Sequence, residues 1–140
     1  MSKILAFAGS TRKGSLNKRL MIEHDGLLLA CPEYNSSITP LLKNTIDWVS
    51  RRQGDEPPLA AYRGKVAALV SASPGGFGGM RGLVTVRSIL SSIEVLVLPT
   101  QVTAGSASAA FDEEGNVTDE GLSKRLDALV EELVKWSEKA

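Results

Sequence analysis

Short runs of consecutive apolar residues alternate along this chain with longer stretches in which apolar positions recur every three or four residues. The runs at 4–8, 27–31, 66–70 and 95–98 are continuous rather than alternating, the pattern of strands covered on both faces in a parallel sheet. Between and after them the spacing is helical. Thr39 reads as an N-cap with Pro40 at the first helical position, followed by Leu41, Leu42, Thr45, Ile46, Trp48 and Val49. That apolar surface is wider than one sheet face needs, so Trp48 either packs within its own domain or meets a second subunit. A second helix is expected over 79–90, with Met80, Leu83, Val84 and Leu90 in phase. The last one places Leu122, Leu126, Leu129, Val130, Leu133 and Trp136 on one face, with Asp119 or Thr118 as its cap. Strands alternating with helices predict a doubly wound α/β sheet joined by right-handed crossovers. Residues 111–118 read as a surface turn and 53–58 as the one linker-like patch.

Composition narrows the classes of function. The 140 residues fit a single domain, 1–140, long enough to bury a core. Basic and acidic residues number 16 each, so the chain carries no net field for a polyanion and no nucleic acid is expected as partner. One cysteine, Cys31, excludes an internal disulfide and a paired-cysteine metal site, and favours a reducing cytoplasm. The apolar run after Lys3 is too short for a signal-peptide core or a membrane span, so no membrane partner is expected either.

In an open α/β sheet the ligand sits outside the carboxyl ends of the strands, so the segments that follow the first three strands belong together. The first is Gly9-Ser10-Thr11-Arg12-Lys13-Gly14-Ser15-Leu16-Asn17. Its amides and hydroxyls, ahead of a helix N-terminus, suit a terminal monophosphate, and Arg12 adds a planar fork for two phosphate oxygens. It has neither the Gly-Lys-Ser/Thr ending of a triphosphate loop nor the Gly-x-Gly-x-x-Gly dinucleotide fingerprint. Taken alone it is equally an ordinary turn, with Ser15 as N-cap and Gly14 easing the bend. The second segment, Pro32-Glu33-Tyr34-Asn35-Ser36-Ser37, offers an aromatic ring, an amide and hydroxyls to a flat polar ligand. The third, 71–79, holds four glycines in its last five residues, so backbone amides can approach a ligand where a Cβ would clash.

GSTRKGSLN, PEYNSSITPLLKNTIDW and SASPGGFGG, in that order, resemble the NADPH-dependent FMN reductases, a flavodoxin-like family that includes quinone, azo-dye and chromate reductases. The resemblance implies a flavodoxin-like doubly wound parallel sheet with helices on both faces. It further implies noncovalent FMN, NADPH or less readily NADH as co-substrate, and hydride transfer at flavin N5 with no catalytic side chain and no metal. By resemblance Ser10, Arg12, Ser15 and Asn17, with Thr11 and Leu16 in the same loop, hold the FMN phosphate. Pro32, Glu33, Tyr34 and Asn35 border the ribityl chain and ring, and Ser73, Gly75 and Gly76 meet the pyrimidine edge. The acceptor is a small molecule: a flavin, quinone, azo compound or metal ion. The family also implies a homodimer or homotetramer, with Lys43, Asn44 and Asp47 at a subunit interface beside the flavin.

Other residues take simpler readings. His24 is a surface or helix-end residue, Cys31 a small core hydrophobe, and Glu33 caps a backbone amide or makes contacts across a dimer. Arg81 and Arg87 face solvent, Arg81 being a candidate for the NADPH phosphate. The rival functions are a flavodoxin-type electron carrier, which the chain's neutrality disfavours, and an FMN-binding sensor without efficient turnover. A phosphate-binding module with no flavin would leave the second and third segments as coincidence.

The chain departs from the family pattern at one place. Nine residues separate Asn17 from Leu27, where the family carries a further strand and helix. A helix of about ten residues spans ~15 Å, barely enough for a direct crossover. Either the chain is truly abridged, with an edge strand lost, or the sequence closes over residues that the protein contains. The second reading is favoured, because Leu20-Met21-Ile22 followed by Glu23-His24-Asp25-Gly26 reads like two family segments abutted. An intact mass well above 14.9 kDa would support it, and a mass equal to that value would sink it.

Overall fold

A computed structural model describes residues 2–6, 18 and 21–140. The elements run β1 (Ile4–Ala6), β2 (Gly26–Ala30), β3 (Glu33–Tyr34), β4 (Ser37–Ile38), α1 (Pro40–Ser50), β5 (Val66–Ala72), α2 (Met80–Ser92), β6 (Leu96–Ala104), α3 (Ala107–Ala110) and α4 (Glu120–Ser137). Four parallel strands make the main sheet in the order β1-β2-β5-β6, and β3 pairs with β4 as a small antiparallel hairpin. Ile4 lies beside Gly26, Gly26 beside Val66, and Val66 beside Leu96.

Strand order therefore moves in one direction and never reverses among the described residues. Right-handed crossovers that all step the same way must lie on the same face of the sheet. Met21, with Ile46 and Val49 of α1 and Leu83, Val86 and Leu90 of α2, accordingly packs against Leu27, Leu29 and Leu69. Helix α4 follows the last strand and covers the opposite face, where Leu122, Leu129 and Leu133 meet Val66, Ala68 and Leu98. Helices thus lie on both faces, as expected. The absent order reversal matches a flavodoxin-like sheet lacking the strand that would flank β1, which leaves β1 at the edge.

Local signals explain the helix boundaries. The Thr39 hydroxyl accepts the Leu42 N–H at 3.2 Å with Pro40 at the first helical position, and Asp119 accepts the Leu122 N–H at 2.9 Å. On α1, Thr45, Ile46 and Val49 are buried, whereas Leu41 and Trp48 are 63% and 52% exposed, so Trp48 lies outside its own domain's core. Strand β6 runs well past the expected 95–98. Pro99 is accommodated because β6 is an edge strand and its pairing with β5 shifts register between Ala67 and Leu69. The patch at 53–58 is no free linker. Glu56 pairs with the buried Lys18 at 2.6 Å, and the Lys18 ammonium also donates to the Arg51 carbonyl.

Candidate functional site

The carboxyl ends of β2 and β5 bring the second and third sequence segments together. The Ser71 hydroxyl donates to the Cys31 carbonyl at 2.7 Å, tying the two strand ends side by side. Beyond β2 the chain forms the β3–β4 hairpin, with Glu33 opposite Ile38 and Tyr34 opposite Ser37. Its two turn residues, Asn35 and Ser36, have φ of +50° and +66°. Positive φ at both central positions is the pattern of a two-residue type I′ turn, in which Asn is well tolerated. Pro32, Tyr34 and Asn35 are exposed at this end of the sheet, Tyr34 at 62%.

The glycines at this end of the sheet divide into two sets. A Cβ on Gly79 would run into the Ser71 hydroxyl, one on Gly78 would lie 2.7 Å from the Ala104 carbonyl carbon, and one on Gly105 would strike the Gly76 carbonyl. These three are required by packing. At Gly76, by contrast, a Cβ would meet nothing within 4 Å, and at Gly75 only the Ser73 hydroxyl at 3.7 Å. Ser73, Gly75 and Gly76 form the open part of the loop. Hydrogen bonds from the Ser73 N–H to the Ala104 carbonyl and from the Gly75 N–H to the Ser73 hydroxyl hold it. Among the described residues no partner takes the Gly76 or Phe77 N–H. Two unpaired N–H groups in a bare glycine cradle, just ahead of the positive end of α2, fit the electron-rich edge of a flat heterocycle.

Glu33 stands between the hairpin and α2. Its Oε1 accepts from Arg81 Nε at 3.0 Å and from an Arg81 terminal nitrogen at 2.6 Å, and its Oε2 accepts the Gly82 N–H at 3.0 Å. The Arg81 guanidinium, followed by the Gly82 amide, holds the carboxyl below the usual carboxylate range. Of the two sequence readings for Glu33, capping a backbone amide is the one these contacts show. Arg81 faces solvent as expected, its side chain 53% exposed even while paired with Glu33, and its guanidinium also lies 5.5 Å from the Phe77 ring centroid. Arg87 departs from the solvent-facing expectation: it is half-buried and donates to the Val97 carbonyl and the Gln101 side chain. Lys43 and Asp47 form an exposed ion pair one helical turn apart, at 2.7 Å.

On the α4 side of the same strand ends lies an apolar cavity of about 330 Å³, lined among others by Pro32, Val70, Ala104, Phe111, Leu122 and Leu126. Of the expected site residues that the structure describes, Pro32 alone reaches it. Cys31 also borders the cavity, and burial pushes its thiol up to about 12, leaving it a protonated core residue. Ser10, Thr11, Arg12, Ser15, Leu16 and Asn17 lie outside the described residues. Among the described residues no cluster of His, Cys, Asp and Glu could hold a metal ion, and no helix is long and apolar enough to cross a membrane.

The sequence profile of the NADPH-dependent FMN reductases matches residues 18–109. The chain belongs to that family. The match takes in both the hairpin and the glycine loop and begins just beyond the Gly9–Asn17 segment. An NAD(P)H-dependent FMN reductase of Pseudomonas aeruginosa is 38% identical over 113 residues, which are 80% of this chain and 58% of that protein. An NAD(P)H:quinone oxidoreductase of Solanum tuberosum is 40% identical over 111 residues, 77% of this chain and 54% of that protein. The chain thus spans little more than half the length of these relatives. Its fold is that of the flavoenzyme NAD(P)H:(acceptor) oxidoreductase FerB of Paracoccus denitrificans, with a TM-score of 0.78 at 24% identity over 99% of this chain and 98% of that one.

Proposed function

We propose that residues 1–140 act as a single FMN-binding domain that reduces a small-molecule acceptor with NADPH, or less readily NADH. The observation that carries this reading is the pairing of the open Gly75–Gly76 cradle with the exposed Tyr34–Asn35 hairpin at adjacent strand ends. Bound FMN would supply hydride acceptance and onward electron transfer, and the protein positions and tunes it. Gly76 and Phe77 N–H groups would meet the pyrimidine edge, where reduction places negative charge, while Tyr34 and Asn35 border the ring. Ser10, Arg12, Ser15 and Asn17, with Thr11 and Leu16, are the proposed phosphate ligands. An acceptor that reaches an exposed ring needs little more than approach, which favours flavins, quinones, azo compounds or metal ions over one tightly recognised substrate.

The exposed Trp48 and Leu41 on α1, close in sequence to the hairpin, support a homodimer or homotetramer that covers this surface. The even charge balance and the single buried thiol favour the cytoplasm, with neither nucleic acid nor membrane as partner. The experiment is the visible spectrum of the protein supplied with FMN and desalted, before and after anaerobic NADPH. Retained flavin that bleaches supports the reductase. Retained flavin that does not bleach favours a carrier or sensor, and loss of flavin overturns the assignment.

A further inference from the structure

Helix α2 begins under an unusual constraint. Its N-cap is Gly79 at φ +84°, which has no side chain to receive the unpaired N–H groups of the first turn. No capping side chain fits at this position, because a Cβ would run into the Ser71 hydroxyl that ties β2 to β5. The Met80 N–H turns back to the Phe77 carbonyl, and the Gly82 N–H is satisfied from a distance: Glu33, 49 residues earlier, accepts it at 3.0 Å. The hairpin is pressed tightly enough for this that a Cβ on Gly82 would lie 3.2 Å from the Ser37 carbonyl and 3.4 Å from the Glu33 Cβ. The same carboxylate balances Arg81, whose side chain is 53% exposed against 9% for Glu33.

We propose that Glu33 is a positioning residue for the flavin site. It caps α2 from the neighbouring hairpin and offsets the charge of Arg81, so that the two loops bordering the ring are held as one preformed cradle. This rests on the FMN reading above and adds a role for a carboxylate that need not touch the cofactor. The glycine loop leads directly into the first turn of α2, so releasing that turn frees the loop whose N–H groups would meet the ligand. Removing either charge alone also leaves the other unbalanced beside the ring.

The test uses Glu33→Gln, Glu33→Ala and Arg81→Met in the FMN-loaded protein, with amide exchange at Gly82 measured in the FMN-free protein. Loss of a helix cap should weaken FMN binding about fivefold in Glu33→Ala and speed Gly82 exchange by a comparable factor. Glutamine can still accept the Gly82 N–H, so Glu33→Gln should keep most of the affinity while raising the midpoint potential of the bound flavin. Arg81→Met should lower that potential, and such opposite movements are not expected of general loosening. Unchanged Gly82 exchange in Glu33→Ala, or potentials that do not move in opposite directions, would overturn the positioning role. If Glu33→Ala does not fold, the other two variants carry the test. Failure of the wild-type protein to retain FMN would overturn the flavin reading and this role with it. Tight wild-type binding that Glu33→Ala leaves unchanged would overturn the role alone.

Discussion

The two faces of the sheet are built to different standards. On the crossover face Met21, Ile46, Tyr62, Leu69, Leu83 and Leu90 are wholly buried beneath packed helices. On the opposite face Val66, Leu129 and Leu133 are as deeply buried, but that core is smaller, and Ile4, Leu28, Val70 and Leu126 are only partly buried, with Val70 and Leu126 lining the cavity. The difference follows from topology: crossovers that step one way stack their helices on one side, and the other side receives whatever follows the last strand. Stability should therefore reside on the crossover face, and tolerance on the α4 face.

Neighbouring residues of β5 test this most sharply, because Leu69 and Val70 point to opposite faces. Leu69→Ala should cost about 3 kcal/mol and Val70→Ala about 1 kcal/mol in urea unfolding, and equal losses would break the comparison. The glycine loop gives a second contrast. Gly79→Ala, at positive φ and against Ser71, should cost roughly 2 kcal/mol. Gly76→Ala should change stability by less than about 0.5 kcal/mol while weakening FMN binding, as thermal melts with and without FMN would show.

Thiol chemistry offers a third test. With its thiol pushed up to about 12, Cys31 should react with a thiol reagent at pH 8 far more slowly in the folded protein than in denaturant. The smallest expected effect is on pH dependence. Glu33 and Asp112 are held below their ordinary values of 4.5 and 3.8, Glu33 chiefly by Arg81 and Asp112 chiefly by Asn116. The folded state therefore binds fewer protons than the unfolded chain as the medium acidifies. Their contribution is complete above the ordinary values and is lost as pH falls through the depressed ones. Melting temperature should drop below about pH 4.5, with a shallower fall in Glu33→Gln.

Much of this architecture was legible in the chain. Continuous apolar runs marked β2 and β5 because both faces of those strands are covered, and Thr39-Pro40 and Asp119 marked helix starts through their capping chemistry. The hairpin was not legible, since strands of two residues are too short to show a period and Asn35-Ser36 lacks the glycine that usually announces such a turn. The second half of β6 was hidden by Pro99, which reads as a breaker until the strand is known to lie at an edge. At the site, the glycine cluster was plain but its division into packed and open members was not. That division depends on where Ser71 at the end of β5 and Ala104 at the end of the neighbouring β6 come to lie. The engagement of Arg81 by Glu33 and of Arg87 by β6 likewise depends on tertiary neighbours that no local pattern records.

The hairpin also bears on how such a protein can change over generations. It is held to the body of the molecule by Ile38 in the core and Glu33 against α2, while the Tyr34, Asn35 and Ser36 side chains are exposed. Mutations at the exposed Tyr34, which lies outside the positive-φ turn of Asn35 and Ser36, can be selected for a new ligand without first being screened for folding. Drift at the two anchors is checked at once. Inheritance of the scaffold and innovation at its rim are thereby separated into different residues of one six-residue stretch.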